Sequence, residues 1–230
     1  MDSADYLSLL RHEFDRFAAC LDGDLTARVA HCGDWTLHDL ADHLGGGNLW
    51  AATAITERRG DLSPDPAPQD HEKLRSWYAE TCDVLLAALH ADPQTEAWTF
   101  YPPHTVGFWR RRRYLETLIH RWDAEHALGV TPSLDPVRAA DGVAEVFQVM
   151  APRMVARGRA TAPPAAVRFT ASDTGDSVTY GPGEPVATVS APAAQLLLML
   201  WGRLPADDPT IACDGDRDTA RAILTGPLTP

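Results

Sequence analysis

A four-helix bundle followed by a small α+β domain is the architecture that the sequence predicts, and three observations carry it. Apolar residues recur three and four apart through long segments of the first 130 residues. Beyond Pro132, short runs rich in Val, Thr and aromatic residues appear between Gly- and Asp-containing turns. Gly129, Pro132 and Pro136 separate the two patterns. The expected domains are a bundle over residues 1–132 and an α+β domain over residues 133–230.

Composition narrows the function classes. The 230 residues include 32 Asp+Glu against 20 Lys+Arg, a formal charge of −12, and 45% are apolar. That apolar share is too high for general disorder. The acidic balance argues against a general nucleic-acid binder, which needs excess positive charge. No run of about 18 apolar residues could span a bilayer, and residues 1–5 are acidic where a secretory signal would be basic and then apolar. The expectation is a cytoplasmic protein with no membrane or nucleic-acid partner. Cys20, Cys32, Cys82 and Cys213 are far apart and form no C-x-x-C pair, so reduced thiols are expected. Lys73 is the only lysine, which with abundant Ala and Pro fits a GC-rich coding bias.

The first helix is expected over residues 6–21, with Leu7, Leu10, Phe14, Phe17 and Leu21 on one stripe. The second starts near Thr36, where Thr36 and Asp39 form a variant capping box and Trp35 is placed to act as a staple. Gly45-Gly46-Gly47 inside it costs about 1 kcal/mol per Gly relative to Ala. It therefore signals a close approach by a neighbour or ligand, or a break. A Pro-rich loop over residues 60–69 precedes a third helix over 71–90, and an aromatic loop over 93–104 precedes a fourth over 106–128. The second domain reads as one amphipathic helix over 136–158, strands at 166–170, 177–180 and 185–190, and an apolar helix over 193–201. A strand near 210–212 and a helix over 216–224 close it.

Chemistry concentrates on the fourth helix. Glu116 and His120 are four apart and share a face, at the edge of a stripe formed by Leu115, Ile119 and Trp122. A carboxylate facing a core is costly unless paired or metal-bound. His43, beside Leu40 and Leu44 on the second helix, supplies the counterpart. Two imidazoles and a carboxylate are the three-ligand set of a catalytic metal site that leaves one position open. Asp39 with His43 and Asp123 with His126 have competing spacings, and spacing alone does not choose among them. Arg110 to Arg113 oppose the dipole at a helix start and call for acidic partners. Trp98 and His104 are candidates for a pocket mouth.

The segment Asp34-Trp35-Thr36-Leu37-His38-Asp39-Leu40-Ala41-Asp42-His43-Leu44, together with Glu116-Thr117-Leu118-Ile119-His120-Arg121-Trp122-Asp123-Ala124-Glu125, resembles the mycothiol-dependent maleylpyruvate isomerase family. That family is a branch of the DinB-like metal-binding four-helix bundles. Residues 191–203 resemble its sterol-carrier-like C-terminal domain. The resemblance implies zinc, or another divalent ion, held by His43, Glu116 and His120, with mycothiol as thiol cosubstrate. An actinobacterial source fits the arginine bias. The implied activity is isomerisation of a maleylpyruvate-like cis-enone, or thiol transfer to an electrophilic small molecule, by a monomer or homodimer. Asp123 is then expected to orient a ligand imidazole, and Arg217, with Arg221 as competitor, to meet a substrate carboxylate. A non-catalytic binding module and a thiol-independent metal-assisted hydrolase are the alternatives.

Overall fold

The computed structural model describes residues 5–230; residues 1–4 of the N-terminal segment 1–5 read above lie outside the described residues. The chain divides into two compact units, one ending at Ser133 and the other beginning at Leu134. Four helices build the first: α1 (Asp5–Cys20), α2 (Leu37–Thr56), α3 (His71–Leu89) and α4 (Val106–Ala127). Their starts follow local chemistry. The Thr36 hydroxyl accepts from the Asp39 N–H while the Thr36 N–H donates to Asp39 Oδ2 at 2.8 Å, closing the capping box of α2. Asp70 caps α3 by accepting from the Lys73 N–H at 3.0 Å.

Helix α4 departs from a simple amphipathic reading. It packs against α1, α2 and α3, and it is buried around nearly its whole circumference, including Arg110, Arg112, Arg113, Arg121, Asp123 and Glu125. Buried charges must be paired or hydrogen-bonded. Arg110 donates to the carbonyls of Leu89, the last residue of α3, and of Ala91 just beyond it. Arg121 donates to Glu13 Oε2 on α1 at 2.7 Å and to Glu125 Oε2 at 2.9 Å, and Arg16 holds the other Glu125 oxygen at 2.6 Å. Arg110, Arg112 and Arg113 are thus internal scaffolding, and Arg112 and Arg113 meet the acidic partner that the run calls for in Glu116, four and three positions on.

Helix α2 runs unbroken through its three glycines, and side chains from neighbouring helices occupy the space beside Gly45 and Gly47. A Cβ on Gly45 would lie 2.4 Å from the Trp77 ring, and one on Gly47 would lie 2.6 Å from Arg113 Nη1. Arg113 is fixed by the Leu44 carbonyl, Asn48 Oδ1 and Glu116, so it cannot give way. Gly47→Ala is therefore expected to destabilise the protein. Overpacking costs about 1–3 kcal/mol and outweighs the roughly 1 kcal/mol of helix propensity gained. Urea unfolding should show the lowered midpoint.

In the second unit the segment expected as one helix is interrupted. α5 (Pro136–Glu145) passes through a π-turn (Val146–Met150) into α6 (Ala151–Ala156). The Ala151 N–H donates five residues back to the Val146 carbonyl. Pro152 follows immediately, and its ring nitrogen can donate no bond while its ring crowds the preceding turn, which the wider turn relieves. Strands β1 (Ala166–Ala171), β2 (Ser177–Tyr180), β3 (Pro185–Ala191) and β4 (Ala212–Gly215) form one sheet in the order β2-β1-β3-β4. β1 pairs antiparallel with β2 and parallel with β3, and β3 pairs antiparallel with β4. The last strand begins where the expected 210–212 segment ends. Helices α7 (Ala193–Leu200) and α8 (Arg217–Leu224) complete the unit, and Phe147 stacks on Phe169 at 4.2 Å in its core.

None of the four cysteines is in a disulfide. Burial, with Glu125 adding, pushes the Cys20 thiol up to about 11, and burial pushes Cys82 up to about 12. Neither is a nucleophile at neutral pH.

Candidate metal centre

His43 on α2 faces Glu116 and His120 on α4. His43 Nε2 lies 3.1 Å from Glu116 Oε1, and the rings of His43 and His120 meet edge to face at 5.1 Å. One ligand atom from each of the three residues lies within 4.8 Å of the others. Ligands about 2.0–2.2 Å from a tetrahedral zinc ion stand roughly 3.4 Å apart. The donor set and its spacing fit a divalent ion after a small contraction. His43 and Glu116 keep some exposure, 37% and 18% of their side chains, so the cluster is reachable from solvent.

Each member is held by neighbours the helices supply. Arg113 Nη1 donates to Glu116 Oε2 at 2.8 Å, and Arg112 Nε lies 3.5 Å from the same oxygen. That leaves Oε1 turned toward His43. Burial alone would raise the Glu116 carboxyl, but the Arg113 and Arg112 charges and the His43 bond hold it well below the usual carboxylate range. Burial pushes His120 down, only partly offset by Asp123. A neutral imidazole with Nδ1–H donated to Asp123 Oδ2 at 3.0 Å presents its Nε2 lone pair to the cluster. The Trp35 ring, expected as a helix staple, lies 4.9 Å from the His43 ring and packs against it.

These shifts fix the acid response of the metal-free protein. The depressed His120 value means the unfolded chain takes up a proton first as pH falls through about 6.5, so stability declines there. Glu116 adds a second loss as pH falls below about 4.3, its ordinary value, toward its lower folded value. Unfolding midpoints measured between pH 8 and 3 should fall in these two windows.

The remaining sequence candidates are placed as follows. Asp123, its side chain fully buried, stands behind His120. Asp39 is engaged in the α2 cap. Arg217 is the exposed first residue of α8, in the second unit, where it lines a groove of about 740 Å³ with Arg221, Asp214 and Asp218. Trp98 packs in a cluster with Trp50, and the His104 ring bonds the Thr99 hydroxyl at 2.7 Å. Two contributors escaped the sequence reading. The Arg112–Arg113 clamp was signalled by spacing, since both residues precede Glu116 by three or four positions on one helix. Cys32, whose thiol lies 3.7 Å from Asp123 Oδ2, had no local signal.

Fold and cluster together define a two-part protein of the DinB-like class, a four-helix bundle with an internal His/Glu/His group joined to an α+β unit. Residues 7–125 match the mycothiol maleylpyruvate isomerase N-terminal domain, and residues 138–222 match the MDMPI C-terminal domain. The chain belongs to the mycothiol maleylpyruvate isomerase family. Uncharacterized proteins from two strains of Mycobacterium tuberculosis are 28% identical over 159 residues, spanning 63% of this chain and 79% of theirs. The crystal structure of the mycothiol-dependent maleylpyruvate isomerase shares the fold with a TM-score of 0.69 at 15% identity, covering 93% of both chains. A mutant of that isomerase with one histidine replaced by alanine matches equally in fold, at 14% identity. Among the described residues, no helix is long and apolar enough to cross a membrane.

Proposed function

We propose that this chain is a metal- and mycothiol-dependent isomerase that converts a maleylpyruvate-like cis-enone into its trans isomer. The observation that carries the reading is the convergence of His43, Glu116 and His120, in a chain whose two domains both match the isomerase family. Two imidazoles and a carboxylate are a donor set that zinc takes in catalytic sites. When bound, zinc would favour the deprotonated, nucleophilic form of an incoming thiol. The chain's own residues prepare that site. Glu116, kept ionised, offsets cationic charge, and His120, kept neutral and oriented by Asp123, keeps a lone pair available. Arg217, with Arg221 as competitor, is the residue we assign to the substrate carboxylate, as the family resemblance implies; both are exposed on α8 and line one groove. The reaction belongs in the cytoplasm, where a small thiol stays reduced.

Purified protein supplied with zinc, mycothiol and maleylpyruvate is expected to produce the trans isomer, and to stop when either the thiol or the metal is withdrawn. A stable thioether product would reassign the chemistry to thiol transfer. Turnover without thiol, or none at all across cis-enones and epoxides, would contradict the reading.

A further inference from the structure

The loop that leads into α2 brings a thiol to the far side of His120 from the cluster. Residues 28–36 are closed at their base by a bridge between Arg28 and Thr36, and the Val29 N–H donates to the Trp35 carbonyl at 2.9 Å. Inside this loop the Cys32 N–H donates to the Val29 carbonyl and the Trp35 N–H donates to the Cys32 carbonyl. The backbone around Cys32 is therefore tied at both ends. This one loop supplies a neighbour to each imidazole system. Trp35 packs on His43, and the half-buried Cys32 donates its thiol hydrogen to Asp123 Oδ2. That same carboxylate oxygen accepts from His120 Nδ1 at 3.0 Å.

We propose that Cys32 is a positioning residue for His120, acting through Asp123, so that a thiol–carboxylate–imidazole chain sets the direction in which His120 presents Nε2. The inference rests on the metal reading above and extends it to a residue outside the ligand set. The Asp123 side chain has no solvent exposure. Its orientation therefore answers to protein groups, and the Cys32 thiol and His120 Nδ1 meet on one of its oxygens, so losing the thiol changes how that oxygen is held toward His120.

Cys32, His120 and Asp123 also gather three possible ligand atoms within 4.8 Å, so a second cation position is the rival explanation. Asp123 Oδ2 lies within hydrogen-bond reach of both His120 Nδ1 and the Cys32 thiol as the groups stand, and the cobalt spectrum separates the two explanations. Partners that orient a ligand directly change metal affinity by about 10–100-fold. A group one bond further out should change it less.

Cobalt(II) in thiol-free buffer tests this on the full chain. Cys32→Ala is expected to weaken cobalt affinity by about 3–10-fold, while Cys32→Ser, which keeps a donor, stays within about twofold of wild type. The melting temperatures of the metal-free variants should not track these affinities. An unchanged Cys32→Ala overturns the proposal, as does an equal loss in Cys32→Ser, which would mean packing alone. A sulfur-to-cobalt charge-transfer band that vanishes in both variants also overturns it, by making Cys32 a ligand. If Cys32→Ala does not fold, Cys32→Val, close to the thiol in shape, takes its place with the same expectations. Wild type that binds no cobalt removes the metal reading itself and this extension with it. Failure of the extension alone appears only in the variants.

Discussion

His120→Ala is expected to lose metal affinity by at least about 100-fold and to abolish thiol-dependent turnover. Removing a group that merely orients a ligand costs about 10–100-fold, so removing the ligand itself should cost more. His120 lies at the centre of the arrangement, with Asp123 on one nitrogen and the His43–Glu116 pair facing its other side. Chelator competition measures the affinity, and elemental analysis of the purified variant should fall from close to one metal per chain to a small fraction. The helix should survive, because α4 is anchored elsewhere along its length by Arg110, Arg113 and Arg121. Far-ultraviolet circular dichroism separates loss of a ligand from loss of fold. Retained metal would mean the ligands are wrongly assigned.

Arg121→Ala is expected to lower the unfolding free energy by about 3–5 kcal/mol, the range for removing one partner of a buried ion pair. Arg121 is 1% exposed and joins Glu13 of α1 to Glu125 of α4, and its loss takes that cation from two buried carboxylates, of which Glu125 keeps Arg16. The cost comes from the stranded carboxylates more than from the lost attraction. The double replacement Arg121→Met with Glu13→Leu is therefore expected to recover much of the stability, since a well-packed apolar substitute for a buried pair is often neutral or better. Urea titrations of the three proteins check both statements. An Arg121→Ala variant within 1 kcal/mol of wild type would show that water reaches this network in solution.

The elements legible in the sequence are those whose physics is local. The stripe Leu10, Phe14 and Phe17, the Thr36–Asp39 box and the stop at Gly129 depend on spacing and capping within a few residues, and α1, α2 and α4 follow them closely. The Glu116–His120 pair was readable for the same reason, since one helix face carries both residues. What depends on distant partners was not readable. Period-based reasoning gives α4 one apolar face, whereas three helices cover it and its charged residues find partners 3 to 109 positions away. The π-turn before Pro152 is a choice among helical hydrogen-bond patterns that hydrophobic spacing does not report. Gly45 and Gly47 announced a close approach, but only the packed bundle shows that Trp77 and Arg113 make it. Cys32 carries no periodic or motif signal, because its relation to Asp123 spans 91 residues and is set by a loop.

Anomalous diffraction at the zinc edge, from crystals of the full chain soaked in zinc, most directly tests whether one cation belongs among these three side chains. The expected map holds a single strong peak about 2.0–2.2 Å from an imidazole nitrogen of His43, a carboxylate oxygen of Glu116 and an imidazole nitrogen of His120. A peak between Cys32 and Asp123, or no peak in the bundle with the His43 ring turned out to solvent, would contradict it.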